Sequence, residues 1–379
     1  MKDIYSDIRP YFDDEIPQAM QRIARDELLH PVADYLFKDI AFEKVQELIL
    51  SLRSVEDIQL KLMYPAIKKI ADSTISNFTY SGIENAGNGR GHLFISNHRD
   101  ITLDAFLLQL VLFTNNLPTS DITLGDNLLK PQFVVDICRS NRMIRIIRMD
   151  GVSPREFLEN SKHLSEYLIK RIVEGRSIWI AQRNGRTKDG LDQTEPGLVR
   201  MVGMQSENGF FDTFSKLSIV PISISYEYEP CDVLKAIELY VKENTGEYHK
   251  SEDEDLRSIL KGITDKKGDV HVSICPSISH EELHLASELP RSEQFKTLAE
   301  FIDRRINENY HLHQTNYAAC DILRNNSIYR DKYSTQKKEE FLKHIEKCTE
   351  VFKMKGIDTK AATEILLKIY ANPVLRKER

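Results

Sequence analysis

His98 and Asp104 lie in the segment NHRDITLD, directly after the β-rich run HLFIS and before the apolar run AFLLQL. That order predicts a strand, a short polar turn and a helix, with both side chains gathered at the strand's carboxyl end. In open α/β sheets this is where reacting groups sit. A histidine with an ordinary pKa near ~6.5 serves as a general base. A carboxylate bonded to its other ring nitrogen fixes the tautomer and stabilises the charged form, so the pair suits activation of a hydroxyl. Taken as local structure alone, the same residues read as a capped loop histidine and a helix N-cap.

Three other segments imitate known chemistry. His280 to His284 spells HEELH, the zinc pattern of two histidines one helical turn apart, but Ser279 with Glu282 forms a capping box directly after DVHVSIC. The letters are explained as a helix start exposed to water. His98, Arg99 and Asp100 spell HRD as in a kinase catalytic loop, yet Ala105 stands where that motif needs Asn. GNGRG at 87 to 91 lacks the GK[ST] ending of a phosphate-cradling loop and reads as a turn.

The elements that must hold such a site follow from periodicity. Residues 15 to about 72 read as helices, EIPQAMQRIARDELL, HPVADYLFKDIAFEKVQELILSL and SVEDIQLKLMYPAIKKIADSTI. From Phe78 short β-rich runs begin with FTYSGI and HLFIS. Ser153, Pro154 and Glu156 start a helix that Gly175 stops, and SIWIA, LSIVPISISYE and DVHVSIC suit buried strands. Strands alternating with helices predict an α/β fold with a mixed, mostly parallel sheet flanked by helices. Three parts are expected: a helical N-terminal domain over 1–75, a catalytic domain over 76–310 and a helical C-terminal appendage over 311–379. The charged stretch 230 to 267, with SEDEDL, reads as a solvated helical excursion.

Composition narrows the function. With 379 residues, 41% hydrophobic and 29% charged, the chain resembles an ordinary globular protein, which excludes disorder, collagen and a coiled-coil rod. Net charge is −6, giving no global reason to seek nucleic acid. Five cysteines without a CxxC pair argue for a reducing compartment and against a disulfide frame or a cysteine zinc site. MKDIYSDIRPYFDDEIPQ has neither the basic start nor the apolar core of a signal peptide, so a cytoplasmic protein is expected. The most apolar run, Ile101 to Phe113, falls short of the ~20 residues a spanning helix needs. From Ser327 onward 13 Lys and Arg face 8 Asp and Glu, a local charge of +5 suited to anionic lipid or to a solvated face.

Four blocks in order resemble the glycerolipid acyltransferases, the glycerol-3-phosphate and 1-acylglycerol-3-phosphate acyltransferases and their relatives, over roughly residues 76 to 310. The family's first block is His, four residues, then Asp. ISNHRDITLD has one residue more, so the resemblance carries the orienting role to Asp104, with Asp100 in reserve. The second block, IRIIRMDG, places a binding arginine at Arg148. Arg139, Arg142, Arg145 and Arg148 recur every third residue, but along a strand Arg145 and Arg148 would point to opposite faces. In the third block, SIWIAQRNGRTKDG supplies Asn184, Gly185, Arg186 and Lys188, with Asn184 standing where the family has glutamate. Arg186 would hold an acceptor phosphate bidentately and Lys188 would add a point charge. In the fourth, IVPISISYE, Pro221 would shape the acyl or acceptor pocket.

The resemblance implies an O-acyltransferase of membrane phospholipid biosynthesis. It would move a fatty acyl group from an acyl carrier protein or coenzyme A thioester to glycerol-3-phosphate or lysophosphatidate, with His98 as base and neither cofactor nor metal. Expected partners are the thioester donor, an anionic glycerolipid acceptor and the cytoplasmic face of a membrane, held peripherally. O-acylation of a lyso-aminolipid, and a catalytically degenerate lipid-binding member of the fold, stand as alternatives.

Overall fold

The β-branched runs form seven strands among the residues that the computed structural model describes, 3–87, 89–148, 151–204, 209–251 and 253–378. Asn88 of GNGRG, Met149 and Asp150 of IRIIRMDG and Glu252 of SEDEDL lie outside the described residues. The strands are β1 (Ile75–Ser81), β2 (Leu93–Ser96), β3 (Asp121–Gly125), β4 (Met143–Ile146), β5 (Ile178–Ala181), β6 (Ile219–Tyr226) and β7 (Gly268–Ile274). They lie in the order β1-β7-β6-β2-β5-β3-β4. Every neighbouring pair is parallel except β6 and β7, so the sheet is the mixed, mostly parallel one that the sequence predicts. Its start lies at Ile75 rather than Phe78, and β3 had no counterpart in the sequence reading. That strand opens on Asp121, whose buried carboxylate meets Arg171 at 3.1 Å; a paired charge at a strand end defeats a hydrophobic search.

Alternation along the strands divides the core in two. Leu93, Ile95, Ile178, Ile180 and Ile219 enter one apolar cluster, with the long helix Pro154–Val173 and the helix Arg291–Glu308. Phe94, Trp179, Val220, Ile222 and Ile224 enter the other, against the helix Leu103–Thr114. The latter is apolar nearly all round, as befits a helix buried between the sheet and the N-terminal helices.

The N-terminal helices are Ile16–Arg25, Leu29–Leu36, Phe42–Ser51, Val55–Ile58 and Tyr64–Thr74. The chain is extended at Ala41, which breaks the second predicted helix and lets Phe37 and Phe42 both pack beside Ile16 and Met20. Before Tyr64 one turn, Gln59–Met63, widens to a π-helix; Pro65 has no N–H to continue the regular ladder. Arg22 ties this region to the sheet layer by a bidentate pair with buried Asp136, both bonds 2.7 Å. Helix His280–Ser287 begins with the Ser279–Glu282 capping box, as the HEELH segment was read.

The last three helices, Gln314–Arg324, Thr335–Met354 and Thr359–Lys377, surround an apolar cluster including Phe341, Phe352, Leu366 and Tyr370. Helix Asp232–Thr245 contributes Ala236 to that cluster, joining it to the sheet domain. No helix among the described residues is long and apolar enough to cross a membrane.

One turn docks the final helix. Gly190 has φ of +79°, and a Cβ there would stand 2.2 Å from the Ile369 carbonyl oxygen, while Asn372 donates to the Asp189 carbonyl at 2.7 Å. Gly190→Ala should therefore lower stability by at least the ~1–2 kcal/mol of left-handed strain, measured by urea unfolding.

Candidate active site

The turn after β2 is folded around one carboxylate. Asp104 lies in the first turn of helix Leu103–Thr114, yet its side chain reaches backward. Its Oδ2 accepts the backbone N–H of Arg99 at 2.6 Å and of Asp100 at 2.9 Å, and lies 2.9 Å from His98 Nδ1. Its Oδ1 accepts the Tyr226 hydroxyl at 2.8 Å. An ionised carboxylate only accepts, so His98 donates from Nδ1 and its Nε2 is left with a free lone pair. The imidazole is mostly buried, edge-on to Trp179 at 6.0 Å between centroids. Burial and the Asp104 charge drive the Tyr226 pKa well up, which keeps the phenol a donor.

Asp100 has a different task. Its Oδ1 accepts from the N–H groups of Thr102 and Leu103, opening the helix, and it makes no hydrogen bond to His98. Burial, and after it the neighbouring Asp104 charge, raise its pKa. Of the two aspartates, the one hydrogen-bonded to the imidazole is Asp104.

Arg99 anchors the turn from behind. Its fully buried guanidinium meets Asp192 at 2.7 Å and Glu229 at 3.0 Å, and Lys235 donates both to Glu229 and to the Arg99 carbonyl. Two cations and two carboxylates thus balance inside the protein. Desolvation alone would depress the Arg99 pKa; Asp192 and Glu229 overcome it and hold it well above normal.

The remaining blocks converge here through hydrogen bonds. Thr187 N–H donates to the His98 carbonyl at 2.7 Å, seating the third block on the first. Arg148, just beyond the end of β4, donates to the Asn184 side-chain oxygen, joining the second block to the third. Arg145, within β4, pairs instead with Asp126 at 3.6 Å. Gly185 turns with φ of +74°, and Glu195 accepts the Asn184 N–H at 3.2 Å. A carboxylate therefore reaches this turn from elsewhere although position 184 has none.

Arg186 is the unusual cation. It is buried, donates from Nη2 to Ser258 Oγ at 3.0 Å, and its Nη1 has no hydrogen-bond partner among the described residues. Lys188, two residues on, pairs with Glu238. Its pKa falls to about 8, chiefly through burial and next through the Arg186 charge, against the pull of Glu238.

Pro221 lies apart from the His98 turn, and one expectation needs correction. Pro221 is buried in β6 opposite Ile95, and alternation puts it on the other face of the sheet from Tyr226. Its missing N–H falls at the end of the β6–β7 ladder, where Cys275 donates to its carbonyl at 2.9 Å, so the residue is buried on the face away from the His98 turn. Nor is the stretch 230 to 267 merely solvated. Its helices Asp232–Thr245 and Glu254–Thr264 bury Lys235, Glu238 and Ser258, which hold Glu229, Lys188 and Arg186. Gly262 permits the close approach, since a Cβ there would lie 2.4 Å from Asp100 Oδ2. Sequence reasoning missed Tyr226, Asp192, Glu229 and Lys235 as well; of these only Tyr226 stood in a quoted block.

Residues 77–225 match the family model described as acyltransferase. Among solved structures, the 1-acyl-sn-glycerophosphate acyltransferase PlsC from Thermotoga maritima aligns with a TM-score of 0.40 at 14% identity, over 77% of this chain and 94% of that one. The signal recognition particle 54 kDa protein from Aeropyrum pernix K1 aligns with a TM-score of 0.21 at 9% identity, over 97% and 100%. No curated protein matches. The matched segment runs from β1 into β6 and encloses the His98–Asp104 turn and the whole third block, so the chain carries an acyltransferase-type domain.

Proposed function

We propose that the enzyme acylates the hydroxyl of a phosphate-bearing glycerol compound, glycerol-3-phosphate or lysophosphatidate, in membrane phospholipid synthesis. The donor would be a fatty acyl thioester of acyl carrier protein or coenzyme A. The observation that carries this reading is Arg186, a buried guanidinium with an unpartnered Nη1, one residue from the amide that bonds to His98. A buried donor without a partner costs about 1–3 kcal/mol or more, which an anionic ligand would remove. Its planar fork suits phosphate.

In the proposed reaction His98 Nε2 takes the proton of the acceptor hydroxyl as its oxygen attacks the thioester carbonyl carbon. The carbon–sulfur bond then breaks, and the departing thiolate recovers the proton from the imidazolium. A thiol of pKa near ~8.5 leaves readily, so a covalent enzyme intermediate is unnecessary. Asp104 keeps the imidazole in the required tautomer and offsets its transient charge. Arg186 and Lys188 would fix the acceptor phosphate, turning an encounter into a positioned attack. Arg148 and Asn184 flank the same turn and would border the acceptor's path. The acyl chains place the work at a membrane surface, on the cytoplasmic face in this reading.

Thiol release and product formation test the scheme, with both donors against both acceptors. His98→Ala should reduce turnover by about 10²- to 10⁴-fold while the melting transition is kept; a variant retaining a tenth of wild-type turnover would overturn the assignment. Asp104→Asn should lose a similar factor, whereas Asp100→Asn, which keeps its carbonyl acceptor, should stay within about tenfold. Lys188 is charged below its pKa of about 8 and neutral above it. Acceptor KM should accordingly rise as pH passes upward through about 8, and the rise should vanish in Lys188→Gln.

A further inference from the structure

On the side of the molecule behind the Arg99 network, Asp232, His344 and Cys348 bring three different metal-binding atoms to one point. Asp232 stands at the start of helix Asp232–Thr245, while His344 and Cys348 are one turn apart on helix Thr335–Met354. His344 Nε2 lies 2.6 Å from Asp232 Oδ2 and 3.5 Å from Cys348 Sγ, and all three atoms fall within 4.8 Å of one another.

A nucleophilic triad does not fit. In such a triad the cysteine and the carboxylate engage opposite ring nitrogens, so that the proton taken from sulfur is balanced across the imidazole. Here both contact the same nitrogen, and Cys348 is only 3% exposed, out of reach of a substrate. Convergence on a single point is instead what a cation requires. Tetrahedral zinc, with Zn–S about 2.3 Å and Zn–N about 2.0–2.1 Å, separates its sulfur and nitrogen ligands by about 3.6 Å. The observed sulfur–nitrogen spacing is already 3.5 Å; the Asp232–His344 hydrogen bond must open by under about 1 Å, and the sulfur and the carboxylate oxygen, within 4.8 Å, must settle at about 3.5 Å. Tyr370 donates to the same Asp232 oxygen at 2.7 Å, the kind of outer partner that orients a ligating carboxylate. His344 is partly exposed, leaving an entry path and room for water as a fourth ligand.

We propose that Asp232, His344 and Cys348 form a zinc site that clasps the C-terminal helices to helix Asp232–Thr245. Binding would displace the proton from His344 Nε2 and the thiol proton of Cys348, leaving thiolate, imidazole and carboxylate on the ion. The clasp shares no residue with the proposed chemistry but is connected to it. Lys235, on the helix that Asp232 begins, bonds to Glu229 and to the Arg99 carbonyl, and Tyr370 also receives the Glu229 N–H at 3.1 Å.

Cobalt is the probe, because it takes zinc's ligands and reports thiolate ligation by a near-ultraviolet charge-transfer band. The full chain, stripped with chelator, should develop that band with one equivalent of cobalt and lose it to zinc, and zinc should raise the melting temperature by several degrees. Absence of both effects in wild-type protein would overturn the proposal whatever the variants do. Cys348→Ser and His344→Gln should each weaken zinc binding by more than the ~10- to 100-fold typical of an outer partner. They should melt near wild type in chelator and lack the zinc-induced rise. Retention of the cobalt band in Cys348→Ser would place the metal elsewhere and equally refute the site.

Discussion

Four donors on one carboxylate set the geometry of the molecule's working end. Asp104 is taken up by the His98 ring, two backbone amides of its own turn and the Tyr226 hydroxyl, so neither the turn nor the imidazole can shift without leaving a buried charge unsatisfied. Because Tyr226 comes from β6 and the amides from the end of β2, the carboxylate also fixes how the two strands end relative to each other. The extra residue between His98 and Asp104 is absorbed within this arrangement, since Asp100 uses its carboxylate to open the helix while Asp104 reaches past it.

Charge balance supports the same point from below. Arg99, Lys235, Asp192 and Glu229 form a compensated group under the turn, and removal of one partner from such a buried set commonly costs about 3–5 kcal/mol. The group draws on later parts of the chain: Asp192 from just after the third block, Glu229 from beyond β6, Lys235 from the helix that follows. The C-terminal helix then adds Asn372 and Tyr370 to the Asp189 carbonyl and the Glu229 amide. Against this saturation the Arg186 guanidinium stands out, because its buried Nη1 has no hydrogen-bond partner among the described residues. In the proposed reaction that nitrogen would receive the acceptor's anion.

Much of this was legible in the sequence where the chemistry is local. His98 and Asp104 lie six positions apart between a strand and a helix, so the turn could be drawn from letters alone. The alternation of strands with helices and the capping box at Ser279 came from patterns that short-range physics enforces. What stayed hidden depends on long-range pairing. Lys235 and Glu238 sit in a stretch whose charge reads as solvated, and their burial is tolerable because Lys188 meets Glu238 from 50 residues away and the Arg99 carbonyl meets Lys235 from 136. Tyr226 offers no signal that its hydroxyl faces Asp104, 122 residues earlier. Pro221 shows the same limit: its motif was visible, but the face on which a strand residue lands depends on register.

The central claim is that His98 presents an unprotonated Nε2 because Asp104 holds the proton on Nδ1, and long-range nitrogen–proton correlation spectra of labelled protein at neutral pH read that tautomer directly. The account predicts an Nδ1-protonated ring for His98 that switches in Asp104→Asn. An Nε2-protonated ring in the wild-type enzyme would make His98 a donor toward substrate and contradict its role as base.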